Sequence, residues 1–112
     1  MNYRVAPGVI GKMEISRLEA TKEMILRAVC REYEVTIPQL TAKSRKRKVV
    51  EPRHVTCYLL RKYARWVWEE IGTEFNRDHT TAMNAYRAVQ DRLDTEPDFK
   101  ARIEKLIPKI FC

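Results

Sequence analysis

One stretch, Arg77-Asp78-His79-Thr80-Thr81-Ala82-Met83-Asn84-Ala85-Tyr86-Arg87, leaves this chain few options. An aspartate ahead of a run with helical spacing is a helix start, because the Asp78 carboxylate can accept from the backbone N–H of Thr80 or Thr81. Ala82, Ala85, Tyr86, Val89 and Leu93 then form one apolar stripe. The opposite face carries Thr80, Met83, Asn84 and Arg87, with His79 and Thr81 in the first turn. Those side chains donate, accept and offer methyl groups, which is what reading base edges in a major groove requires. A short apolar segment ending Ile71-Gly72-Thr73-Glu74-Phe75 precedes them. Helix, three-residue turn and polar-faced helix together give a helix-turn-helix pattern. An ordinary amphipathic helix capped by aspartate fits the same residues.

Charge favours the first of these readings. The net charge is +7, and residues 43–65 hold nine Lys/Arg against the single acid Glu51, so the remainder of the chain sums to −1. Cations gathered in one segment are an electrostatic footprint for a polyanion, whereas the same number spread evenly would only solubilise. The densest part is Lys43-Ser44-Arg45-Lys46-Arg47-Lys48, whose mutual repulsion predicts a loop or a frayed helix end. A merely solvated or localisation-type run is the plainer alternative for that string.

The other segments read as helices. A chain of 112 residues, 45% apolar, is one domain able to bury a core. Residues 1–13, with Pro7, Gly8 and Gly11, read as an N-terminal arm, and residues 14–112 as the helix-turn-helix domain. Ile15, Leu18, Ile25, Val29 and Tyr33 predict one long amphipathic helix over 14–34. Thr36 and Gln39 are spaced as a capping box, with Pro38 tolerated in the first turn, so a short helix follows to about Ala42. Pro52 is placed to start the next helix, with Val55, Leu59, Tyr63 and Trp66 on one face and Arg53, Cys57 and Arg61 on another. Its N-terminal N–H groups, with Arg53 and His54, then form a candidate phosphate site, although His54 also reads as an ordinary exposed polar residue. Trp66 and Trp68 read as core anchors rather than nucleic-acid stackers. Gly72 inside a helix implies close backbone approach by the recognition helix. Thr95 as N-cap and Pro97 in the first turn open a last helix that buries Phe99, Ile103, Leu106 and Ile107, and Pro108 ends it. The fold class is all-α, with about six helices.

Several functions lack their residues. The sequence has no GxxxxGK[ST] loop, and three glycines cannot build a nucleotide cradle. His54 and His79 are not spaced as metal ligands and form no nucleophile–base pair. No enzyme activity, metal or cofactor is expected. Cys30, Cys57 and Cys112 form no CxxC pair, so reduced thiols in a cytoplasmic protein are expected, and no window is apolar enough for a membrane span.

Ile71-Gly72-x-x-Phe75 followed by Arg77-Asp78-His79-Thr80-Thr81 resembles the signature of the C-terminal, box-binding domain of the bacterial replication initiator DnaA. The similarity runs over roughly residues 20 to 108, and Arg-Asp-His-Thr-Thr is a specific string. The chain departs from the family pattern at the turn, which has only Asn76 between Phe75 and Arg77. It also has Asn84 where a histidine is common, and Trp68-Glu69 where Leu and Pro often stand. The family places its ATPase and its loader contacts elsewhere, so this chain resembles the DNA-reading domain standing alone.

The resemblance implies sequence-specific binding to double-stranded DNA at short A/T-rich boxes, a role in replication initiation or its regulation, and a nucleoid-associated location. Asp78, His79, Thr80 and Thr81 are then expected at base edges in the major groove, with Arg45 in the adjacent minor groove, where family members insert an arginine. Arg47, Lys48, Arg53, His54, Asn84 and Arg87 are expected at the DNA backbone. Other replication proteins are possible partners. Two rivals use the same residues differently: a nonspecific nucleic-acid-binding module needs only the basic loop, and a replication-associated protein adaptor needs the face of the 14–34 helix.

Overall fold

A computed structural model describes residues 20–111, and all its regular structure is helical. Among these residues six helices follow in order: α1 (Lys22–Tyr33), α2 (Ile37–Thr41), α3 (Arg47–Tyr63), α4 (Trp68–Glu74), α5 (His79–Thr95) and α6 (Pro97–Ile110). The arm expected over residues 1–13 lies outside the described residues.

Local chemistry sets most of the boundaries. At α2 the capping box forms in full, Thr36 N–H donating to Gln39 Oε1 at 2.7 Å and Gln39 N–H to Thr36 Oγ1 at 3.3 Å. Helix α4 has half of such a box, its Glu70 carboxylate accepting the Val67 N–H at 3.0 Å. Of the long helix expected over 14–34, residues 14–19 lie outside the described residues, and the described part is helical only from Lys22. Thr21 is extended and caps α1, its hydroxyl accepting from Met24 N–H at 3.2 Å while the Met24 sulfur accepts the Thr21 N–H.

Pro38 and Pro97 fall in the first turns of their helices as expected, whereas Pro52 and Pro108 do not act as boundaries. Pro52 lies inside α3, which begins five residues earlier at Arg47. The carbonyl deprived of a partner is that of exposed Lys48, where water can replace the missing N–H, and burial of Pro52 itself favours keeping the helix intact. Thr95 is the last residue of α5, its hydroxyl donating to Asp91 O at 2.8 Å, so Glu96 takes the cap position of α6. Pro108 does not stop α6, which continues to the buried Ile110.

Helix α3 is central. Its Val55, Leu59 and Leu60 pack with Ile25 and Val29 of α1, Ile71 of α4, Val89 of α5 and Ile103 and Leu106 of α6 in one core. The α3 face expected to carry Arg53, Cys57 and Arg61 is partly buried too, with Arg53 and Cys57 covered and Arg61 half-exposed. Trp66 and Trp68 are half-buried against this core, and Trp68 meets Tyr86 edge-on, which in turn stacks on Tyr58.

Gly72 decides how α4 meets α5. A Cβ at this position would lie 2.6 Å from Arg77 O and 2.8 Å from the Asp78 carbonyl carbon, both backbone atoms that cannot swing aside. The close approach inferred from the sequence is real, and its partner is the turn immediately before α5. Asn76, within that turn, takes the left-handed conformation (φ 59°), which asparagine tolerates better than most residues. Overpacking against backbone outweighs the roughly 1 kcal/mol that alanine gains in helix propensity. Gly72→Ala is therefore expected to lower unfolding free energy by about 1–2 kcal/mol in urea titrations; an unchanged or higher midpoint contradicts this packing.

Candidate nucleic-acid interface

The recognition helix begins as its sequence dictates. Asp78 is extended at the N-cap, and its Oδ1 accepts from Thr81 N–H at 2.9 Å and from Thr81 Oγ1 at 3.0 Å. These bonds hold the fully exposed carboxyl below its ordinary pKa range. Thr81 therefore has its hydroxyl engaged in the cap and presents mainly its methyl. His79, Thr80, Thr81, Asn84 and Arg87 are all exposed, while Ala82, Ala85 and Val89 are buried. The outward set at 80, 84 and 87 follows helical spacing along one stripe of α5.

The basic loop stands beside this turn. Lys43, Arg45, Lys46, Arg47 and Lys48 are exposed. Arg47 and Lys48 form the first turn of α3, which has neither a side-chain cap nor an acidic residue there. The open N–H groups of α3 thus sit among cations, and an anion is the natural occupant of such a helix start. That end replaces the one expected near Pro52.

Loop and turn share an open cleft of about 510 Å³, lined by Lys43, Ser44 and Arg45 on one side, by Asn76 and Arg77 on the other, and by Val50, Arg53 and His54 of α3 between them. Arg77 joins the two sides directly. Its guanidinium donates to Phe75 O within the turn and to Ala42 O, 3.4 Å away, at the start of the loop. Asn76 and Arg77 had no role assigned from the sequence. The signal available was the shortness of the turn, which forces both residues close to whatever packs beside it.

Arg53 differs from the expected phosphate-holding side chain. It is 6% exposed and donates to three carbonyls: Leu40 O at 2.8 Å, Ala42 O at 2.8 Å and Ser44 O at 3.0 Å. Burial, and then the Arg77 charge, lower its pKa, but guanidinium is basic enough to stay charged. Nor does the whole 43–65 segment act as one patch. Arg61 donates to Trp66 O at 3.1 Å and covers the Trp68 ring, and Lys62 lies over Tyr58. Those residues are near the far end of α3, roughly 21–23 Å from Arg47 along the helix. Behind α5, burial pushes the Cys57 thiol up to about 12, so it has no thiolate character at neutral pH.

A family model described as the bacterial DnaA protein helix-turn-helix matches residues 22–89, more than half of the chain. The chain belongs to this DnaA helix-turn-helix family. It is 33% identical over 110 residues to the chromosomal replication initiator protein DnaA of Desulfatibacillum aliphaticivorans, covering 98% of this chain and 24% of that protein. Against DnaA of Oenococcus oeni the identity is 34% over 112 residues, with 98% and 25% covered. For Bacteroides thetaiotaomicron DnaA it is 31% over 87 residues, with 77% and 18% covered. The chain thus spans about a quarter or less of these DnaA relatives. The DnaA match includes α1 to α4, the turn, and α5 through Val89, hence both sides of the cleft.

His54 lines the cleft from α3 and is half-buried. Burial, then Arg53 and Arg92, lower its pKa, and Glu51 opposes them only in part. A depressed histidine pKa means that the unfolded chain takes up the proton first. Stability should therefore be highest above the unfolded value of about 6.5 and fall as pH drops through it. Urea midpoints measured from about pH 7.5 to about pH 5 should decline less in His54→Gln than in the parent chain; parallel curves would show that His54 is not the group responsible.

Proposed function

We propose that this chain binds double-stranded DNA sequence-specifically, as the reading element of a replication initiator or of a protein regulating initiation. Kinship with DnaA proteins supports the DNA-binding and replication role. The observation carrying the finer reading is the shared cleft: an exposed recognition turn and an exposed cationic loop flank one opening and are tied through Ala42.

In this reading α5 enters the major groove. His79 and Thr80 meet base edges, the Thr81 methyl packs on thymine methyls, and the Asp78 carboxylate has a second oxygen for a cytosine amino group. Arg45 enters the neighbouring minor groove, which is narrow and strongly negative where A/T-rich. Arg47, Lys48 and the α3 N-terminus hold phosphates on one side, and Asn84 and Arg87 hold them on the other. Arg53 leaves this contact set because it is buried and each of its three guanidinium nitrogens donates to a carbonyl, and half-buried His54 plays a lesser part. The targets are short A/T-rich boxes, and the setting is the nucleoid in the cytoplasm. Among the described residues no helix is long and apolar enough to cross a membrane.

A second reading, docking on a replication protein, draws support from a groove of about 490 Å³ between α1 and α6, lined by Met24, Arg27, Arg31 and Lys109. Binding through it would leave the cleft unused.

Selection of bound duplexes from a random pool tests the first reading: recovery of one short motif is expected, and recovery of unrelated sequences alone would refute it. With the selected duplex, Thr80→Ala should cost about 1–3 kcal/mol and relax preference at one position. Lys48→Ala should weaken selected and scrambled duplexes alike and reduce the slope of log K against log salt by about one. Equal loss on both duplexes for Thr80→Ala would remove it from the base-reading set.

A further inference from the structure

Five exposed cations in six residues repel one another, and a segment of that kind has no reason to hold a shape by itself. Here it is pinned around Arg45. On one side Ser44 Oγ accepts the Lys46 N–H at 3.2 Å, closing a small turn whose central residue is Arg45. On the other side the Ser44 carbonyl accepts from Arg53 Nη1, while Ala42 O accepts from Nη2 and Leu40 O from Nε. All three nitrogens of one buried guanidinium are thereby spent on carbonyls within a five-residue stretch.

Leu40 O and Ala42 O are carbonyls that the C-terminus of α2 leaves open, and Ser44 O follows in the loop. The last turn of α2 has no basic residue, and its C-terminal carbonyls have no further helical partners. A charged donor at a helix C-terminus is favourable, and only a planar fork reaches three acceptors in fixed directions. Lysine has one donor centre and cannot copy it. Because Ala42 O also accepts from Arg77, the same carbonyl links the loop to the turn that launches the recognition helix.

Given the DNA-binding reading above, we propose that Arg53 is a positioning residue that touches no DNA. It sets where Arg45 stands relative to α5, so that minor-groove and major-groove contacts engage in one register. Without the fork, loop repulsion frees Arg45 to sample many positions, and its contact ceases to depend on where α5 sits.

The test uses the full chain and the duplex it selects, in two forms that share the major-groove motif and differ only in A/T or G/C pairs where Arg45 enters. The parent chain should prefer the A/T form by about tenfold, the scale of a single unfavourable base pair. Arg53→Lys should reduce that preference to within about twofold while keeping discrimination between selected and scrambled motifs. Arg45→Ala, costly in the parent, should add almost nothing in the Arg53→Lys background, as coupled sites require. The Lys46 amide should also exchange faster in Arg53→Lys. If Arg53→Lys weakens both duplexes by one factor and Arg45→Ala keeps its full penalty, the proposal is overturned. Should Arg53→Lys fail to fold, Arg77→Lys keeps the Arg53 fork and removes the guanidinium ties to Ala42 O and Phe75 O. It should lower the A/T preference about threefold, on the scale of coupling between neighbouring sites, and an unchanged preference would overturn the proposal. Failure of the DNA-binding reading looks different: the parent chain itself would then not distinguish selected from scrambled motifs.

Discussion

Everything in the interface depends on how tightly the turn at Arg77–Asp78 sits on Gly72. The Arg77 N–H donates to Gly72 O at 2.7 Å, and no side chain separates the two backbones. This contact fixes the start of α5 against α4, while Ile71, Phe75, Ala82 and Ala85 seal the seam behind it. A recognition helix held by backbone contacts keeps its first turn still, which is what base-edge recognition at hydrogen-bond distance demands. The Asp78 cap then completes that turn without covering the exposed side chains of His79 and Thr80.

Charge is divided between two tasks that composition does not separate. Arg53, Arg61 and Arg77 spend donors on carbonyls at the ends of helices and in turns, and so act as internal ties. Arg92 and Arg102 pair with Glu51 on α3, joining α5 and α6 to it. Among the described residues the exposed cations of the loop make no such pairs, and they repel one another. The net charge therefore counts cations that serve as internal ties together with those that the loop leaves exposed.

Much of this was legible in the sequence because it follows from local rules. The Thr36–Gln39 box, the Asp78–Thr81 cap and the apolar stripe of α5 each depend on residues within one or two turns. Gly72 was legible for a related reason, since a glycine in a helix calls for a close neighbour. Failures came where distant packing overrides local preference. Pro52 and Pro108 suggested boundaries, yet burial of Pro52 and of Ile110 makes continuing the helix more favourable than stopping it. The apolar pattern of 14–34 ran across Thr21, whose cap is completed by a methionine sulfur and so carries no usual signal. Arg53 reads as a phosphate contact in the sequence because nothing in its spacing shows acceptors nine to thirteen residues upstream.

The account requires the cleft between the basic loop and the recognition turn to be the surface that meets the duplex. Titrating the isotope-labelled chain with its selected duplex and following backbone amide shifts tests this most directly. Shifts concentrated at residues 43–48 and 76–87, with the α1–α6 groove at Met24–Arg31 and Lys109 unmoved, are the predicted result. Shifts centred on that groove, with the loop and turn silent, would contradict it.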